Sequence, residues 1–146
     1  FTRSGDDPLT IVMKTRPANI GGDNHPLANR GNIYYNWMCR IGDGYQWLHT
    51  QNNSYSNSVA VPYVYGNKNI VAIRCLNDGN GYAQNYTTGE SGDIVMTDWG
   101  SASSEINLFD GGFSGEIFIG DFYWVYCSLE QLTDEQIQQV IDYNEN

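Results

Sequence analysis

Residues 115–137 read GEIFIGDFYWVYCSLEQLTDEQI, and this stretch decides the fold. It begins inside one strand-type run, Phe113–Ile119, and contains a second, Phe122–Cys127, both rich in the aromatic and β-branched residues that suit a pleated, half-buried surface. Behind them the apolar period changes. Thr133 can cap the free amides of a helix's first turn, Gln136 can reach back to complete the reciprocal box, and Leu132 is placed to staple against Ile137. Asp134 and Glu135 then meet the positive end of the helix dipole, so these acids read as capping residues and not as catalysts. Ile137, Val140 and Ile141 form one narrow apolar stripe. The spacing therefore predicts a helix from Thr133 to about Tyr143 that lies against a sheet. Phe122, Trp124 and Tyr126 are expected to pack in a strand in the middle of that sheet.

Working outward, strand signals recur at short intervals: Leu9–Lys14, Ile33–Ile41, Tyr45–Thr50, Val59–Tyr65, Ile70–Leu76, Tyr82–Thr87 and Ile106–Phe109. Many short strands at this spacing predict an antiparallel sandwich or barrel. Gly42-Asp43-Gly44 and Asn77-Asp78-Gly79-Asn80-Gly81 are dense in residues that tolerate left-handed backbone, and both read as hairpin connections. Pro17–Asn32 shows neither apolar period and is expected to be a long surface loop. A second irregular region runs from Thr88 to Ser104. No repeat, charge block or low-complexity linker divides residues 1–146, which read as a single domain.

The charge balance narrows the partners. With 17 Asp and Glu against 7 Lys and Arg, the 146-residue chain carries a formal charge of −10. Phosphate backbones and anionic headgroups are bound through clustered cations, so nucleic acid and membrane surfaces are poor partners. No apolar run approaches the roughly 18–20 residues needed to span a bilayer, and Phe1–Asp7 lacks the basic start and apolar middle of a signal peptide. The chain reads as soluble, or as already processed. Cys39, Cys75 and Cys127 form no C-x-x-C pair, sit among apolar neighbours and read as small buried hydrophobes; their odd number rules out a complete disulfide framework.

The C-terminal stretch resembles the closing signature of laminin-G-like, concanavalin A-like domains: a glycine-led strand, a second strand, and a helix opening with a Leu-Ser/Thr-x-Glu-Glu/Gln-Ile motif. Leu9–Pro17 (LTIVMKTRP) is similar to that family's early strand, with Met13 where an aromatic is common, and Ile106–Gly112 (INLFDGG) to a later one. The resemblance implies an all-β fold: a jelly-roll β-sandwich of two antiparallel sheets with a short C-terminal helix. It also implies sugars as ligands and, in some members, Ca²⁺ at a rim. Such domains begin with an extra strand pairing near the C-terminal one; here it is either very short or missing from the chain.

Catalytic patterns are scarce. Only His25 and His49 could serve as a base beside a nucleophile, and no G-x-S-x-G elbow is present. Glycosidases of this fold carry paired carboxylates on alternate positions of one strand, whereas Glu116 and Asp121 are five positions apart, an odd offset that puts them on opposite faces of a regular strand. Gly111–Gly115 lacks the Lys-Ser/Thr of a phosphate cradle. Asp78 and Asn80 offer hard oxygens suited to Ca²⁺, but the loop is no EF-hand, and a tight Asx turn explains it equally well.

What remains is a surplus of rings, with 14% aromatic residues including 11 Tyr and 4 Trp. A pyranose presents an apolar face of C–H groups and a rim of hydroxyls, so its site needs exposed rings beside amides or carboxylates. Tyr45 and Trp47, Tyr82 with Asn85 and Tyr86, and Asp98 with Trp99 meet that pattern, Trp99 foremost because its segment has no strand to bury it. The sequence thus points to a non-catalytic carbohydrate-binding module recognising an oligo- or polysaccharide. It is expected outside the cell or on its surface, appended to other domains. Its rivals are a structural or adhesive domain of a virion or cell-surface assembly and a glycoside hydrolase. Asn52 and Asn85 head Asn-x-Ser/Thr sequons, which matter only in a eukaryotic secreted protein.

Overall fold

The computed structural model describes residues 2–3, 8–18, 24–30, 35–41, 45–51, 54–61, 65–75, 80–95, 104–108 and 118–146, with side-chain surroundings for 8–18, 61, 65–74, 81–93 and 118–146. Eleven strands and one helix are described: β1 Thr2–Arg3, β2 Leu9–Pro17, β3 Asn24–Arg30, β4 Tyr35–Ile41, β5 Tyr45–Gln51, β6 Ser54–Val61, β7 Asn69–Cys75, β8 Asn80–Asn85, β9 Ser91–Val95, β10 Ser104–Leu108, β11 Gly120–Ser128 and α1 Asp134–Glu145. They form a six-stranded sheet, β1-β10-β3-β4-β5-β6, and a five-stranded sheet, β11-β2-β7-β8-β9. Every described pairing is antiparallel. The architecture is the jelly-roll sandwich with a short C-terminal helix that the sequence implies.

β2 explains why the five-stranded sheet holds. It lies between β11 and β7, and its residues Leu9 to Met13 are all at most 1% exposed. A strand covered on both faces must be apolar continuously instead of alternately, which is how Leu9-Thr10-Ile11-Val12-Met13 reads. On one face, register pairs Ile11 with Ile73 and Met13 with Val71, all buried. On the other, Val12 and Ala72 form a cluster with Leu132, Ile137 and Ile141, so α1 covers this face.

The buried hydroxyl of Thr10 fixes the approach to that helix. It donates to the Glu130 carbonyl at 2.7 Å and accepts from the Leu132 amide at 3.1 Å, so a polar atom inside the core is satisfied. The helix start forms as its residues dictate. The Thr133 hydroxyl accepts from the Gln136 amide at 3.2 Å while the Gln136 side chain accepts from the Thr133 amide at 2.8 Å. Leu132 and Ile137 share the buried cluster, as the staple requires.

Several expectations change. The stretch expected as a loop from Pro17 to Asn32 contains β3, which pairs with both β4 and β10. Its sequence, NHPLANR, hides this because the ladder skips from Asn24 to Leu27, around a proline that has no N–H to donate. The region Thr88–Ser104, expected to be irregular, holds β9, a polar edge strand. β6 starts at Ser54, earlier than its apolar run, and Tyr65 belongs to a turn. β11 stands at the end of its sheet's order and not in the middle, so Tyr126 is 38% exposed while Trp124 packs, half-buried, against the helix cluster. The two-residue β1 pairs with β10 and not with β11. The strands that flank the expected hairpins pair antiparallel, β4 with β5 and β7 with β8, while residues 42–44 and 77–79 lie outside the described residues and Asn80 and Gly81 belong to β8. For Phe113–Ile119, positions 113–117 lie outside the described residues.

Candidate functional site

Polar ties hold α1 against the outer face of the five-stranded sheet. At its start, the Arg74 guanidinium pairs with Asp134 at 2.8 Å and donates to the Leu132 carbonyl at 3.4 Å. At its end, Glu145 pairs with Lys14 and accepts from the Trp124 indole at 2.9 Å. The hydrogen bonds from Lys14 and then Trp124 hold the Glu145 carboxyl below its ordinary value of 4.5. A depressed carboxylate pKa adds stability above the unfolded-state value and withdraws it as pH falls through the folded one. Thermal melts from pH 6 to pH 3 should therefore show a steeper decline below about pH 4.5 in the wild type than in Glu145→Gln. Superimposable curves would remove this ion pair from the account of stability.

Residues of the edge strand β11, of α1 and of the segment that joins them line a cleft of about 480 Å³: Val125, Tyr126, Glu130, Leu132, Gln136, Gln139, Val140, Tyr143 and Asn144. Its volume lies within the range of small-molecule sites, roughly 300–1,000 Å³. Val125 of β11, Leu132 and, from α1, Val140 supply the cleft's aliphatic lining. Tyr126 and Tyr143 present rings that are 38% and 85% exposed, and Gln136, Gln139 and Asn144 supply amides. This is the ring-and-amide composition the sequence predicts for a sugar site, but at residues it assigns to packing and to the helix. The sequence signal that could have found it is Tyr143, a ring at the end of the helix and off its apolar stripe.

A second arrangement lies beside β11. The ladder with β2 shifts between Phe122 and Trp124, which leaves Tyr123 as an extra residue, and such bulges re-aim a side chain. The Tyr123 ring is 41% exposed, with the Lys68 ammonium 4.9 Å and the Lys14 ammonium 5.6 Å from its centroid. Arg16 pairs with Asp121 next to it.

The sequence-predicted residues are placed as follows. Tyr82 is half-buried on β8, opposite Arg74 in register, and the Arg74 guanidinium carbon lies 4.7 Å from its ring centroid. Tyr86 follows that strand and packs on the helix cluster; burial, then the Asp134 charge, pushes its hydroxyl's pKa up, and the hydroxyl finds no partner among the described residues. Asn85 is corrected: it is fully buried, donating to the Asn69 side chain at 3.2 Å and accepting from the Thr87 amide at 2.9 Å. Its amide closes the 85–90 turn, so it offers no surface to a ligand or to a glycan at its sequon. Tyr45 and Trp47 lie on β5, described through their backbone, with Tyr45 opposite the fully buried Val61 in register. Trp99, Asp98 and Asp78 lie outside the described residues, and Asn80 is placed only as the first residue of β8, opposite Val95.

Among the described residues no three His, Cys, Asp or Glu side chains gather as a metal site would require. Cys127 is a free, half-buried thiol whose burial raises its pKa to about 11, so it is protonated and unreactive near neutrality. No helix among the described residues is long and apolar enough to cross a membrane.

No family model matches the chain, and no curated protein matches it in sequence. Solved structures do. The CBM40 module of a Ruminococcus gnavus IT-sialidase, bound to alpha2,3 sialyllactose, matches with a TM-score of 0.70 at 10% identity, covering 96% of this chain and 97% of that one. A botulinum neurotoxin type C structure, whose cell entry depends on two ganglioside molecules, matches with a TM-score of 0.66 at 12% identity over 96% of this chain and 36% of that one. An alginate lyase of polysaccharide lyase family 7 matches with a TM-score of 0.52 at 16% identity, over 88% and 65%. At such identities the likeness establishes the fold alone: a jelly roll of antiparallel sheets.

Proposed function

We propose that this chain is a non-catalytic carbohydrate-binding module working outside the cell or on its surface, as one part of a larger protein. The observation that supports this reading is the sandwich itself, shared over nearly the full length of both molecules with a sugar-bound module. Exposed rings beside amides, in the β11–α1 cleft, supply the chemistry a pyranose needs. Glycoside hydrolysis by the common route takes two carboxylates across the scissile bond, whereas the cleft is lined by one, Glu130. Shallow sugar sites exchange well-hydrated hydroxyls for protein hydrogen bonds with little net gain, so binding per site is weak and attachment to a larger assembly provides avidity.

Trp99 with Asp98, and Trp47 with Tyr45, are proposed to furnish the principal contacts, with Tyr82 as a further ring. Affinity electrophoresis on neutral and acidic polysaccharides tests this. Wild-type protein should be retarded by at least one polymer, and Trp99→Ala or Trp47→Ala should weaken binding about tenfold, the loss of roughly 1.4 kcal/mol of stacking. Retention that persists in EDTA places Ca²⁺ at Asp78 and Asn80 outside the binding chemistry; retention lost in EDTA and restored by Ca²⁺ brings it in. No retardation on any polymer would falsify the module reading, and release of reducing ends from a bound one would replace it with an enzyme.

A further inference from the structure

We infer that the cleft between β11 and α1 is a subsite for an uncharged saccharide segment, an assignment that rests on the carbohydrate-binding reading and adds a place and a ligand class to it. Two rings face solvent here, Tyr143 at 85% and Tyr126 at 38% exposure. Most exposed rings in a folded chain are isolated; these two line one concavity of about 480 Å³.

The amides differ in how far they are free. Gln136 spends its oxygen on the Thr133 amide and Asn144 donates to the Val140 carbonyl, which leaves the Gln136 nitrogen and the Asn144 oxygen open. The Gln139 side chain has no hydrogen-bond partner among the described residues, so its amide retains both a donor and an acceptor. A sugar hydroxyl both donates and accepts, and a side-chain amide meets both needs on one planar group.

Charge selects the class. The lining contains one carboxylate, Glu130, and no cation, and α1 carries four acids with no Lys or Arg. In a chain of net charge −10, a uronate or sulfated sugar entering this cleft meets repulsion with nothing to offset it. Four described cations stand on this side and none lines the cleft: Lys14, Arg16 and Lys68 lie around Tyr123 and Glu145, and Arg74 is engaged by Asp134 and the Leu132 carbonyl. A neutral hexose segment, its apolar face on a tyrosine and its hydroxyls on Gln139, fits what is there.

The test uses the whole chain and two polymers of matched length, a neutral β-glucan and a uronate polymer, with Tyr143→Ala and Gln139→Ala. Tyr143 is so exposed that its replacement leaves the melt unchanged, and Gln139→Ala supplies a second variant on the same helix. The expected result is retention on the neutral glucan that falls roughly three- to tenfold in Tyr143→Ala and measurably in Gln139→Ala, with both variants melting like the wild type. Binding to the uronate alone, or glucan binding untouched by either variant and abolished by Trp99→Ala, overturns the subsite while leaving the module reading standing. Binding to neither polymer counts against both.

Discussion

Replacing Ile137 with alanine is expected to remove about 2–5 kcal/mol of stability, a fall in Tm of roughly 5–15 °C. Ile137 is fully buried and stands at the centre of the cluster that joins Val12 and Ala72 of the sheet to Leu132 and Ile141 of the helix. Truncation removes its transfer free energy and leaves a cavity whose walls cannot collapse, because β2 is held in register on both sides by β11 and β7. The polar ties at the two ends of α1 do not compensate. Thr10 is buried beneath the same helix and needs Glu130 and Leu132 in place to stay satisfied, so loosening the helix also exposes an unpaired hydroxyl. Chemical denaturation with fluorescence from the four tryptophans reads the change directly. A loss below about 1 kcal/mol would mean that α1 is not docked through this residue.

Gly120→Ala is expected to be at least as damaging, at about 3–5 kcal/mol, by a different mechanism. Gly120 opens β11 with φ at +148°, where side chains are rarely accommodated, and a Cβ built there would lie 2.4 Å from the Arg16 carbonyl oxygen and 2.9 Å from the Pro17 Cα. Both obstacles are backbone of β2, so no rotamer change relieves them. Either the first pairs of the β11 ladder, Gly120 with Pro17 and Asp121 with Arg16, must part, or β2 must move within the core. Gly66 makes the control: its φ of +75° also favours glycine, but a Cβ meets nothing within 4 Å, so alanine there costs only about 1–2 kcal/mol. Equilibrium melts of the two variants side by side check the contrast, and equal losses would show that the close approach of β11 to β2 is not what makes Gly120 glycine.

The legible parts of the molecule are those whose physics is local. Thr133 and Gln136 are three residues apart and satisfy each other's backbone amides wherever the helix sits, so the capping box could be read directly. The apolar run Leu9–Lys14 marked β2 as a strand, while its cover on both faces came from its neighbours in the assembled structure. β3 escaped because His25 and Pro26 fall where its ladder is interrupted, and what makes NHPLANR a strand is its neighbours β4 and β10, the latter more than 70 residues away in sequence. Asn85 shows the same limit at a candidate site. Beside Tyr86 and Tyr82 it reads as a sugar-binding amide, yet the turn that follows β8 draws it inside.

From the amino-acid order alone came the class of fold, the capped closing helix, the hairpins and the reason to look for rings beside amides, because composition, apolar period and turn chemistry act between near neighbours. Which rings stand free was decided only by the assembled sandwich. Tyr126 alternates along β11 like any core position, and it reaches solvent because β11 falls at the end of its sheet's order, where a cleft is left between strand and helix. Exposure depends on what the rest of the chain brings alongside, and packing between segments far apart in sequence is the term that local pattern does not contain.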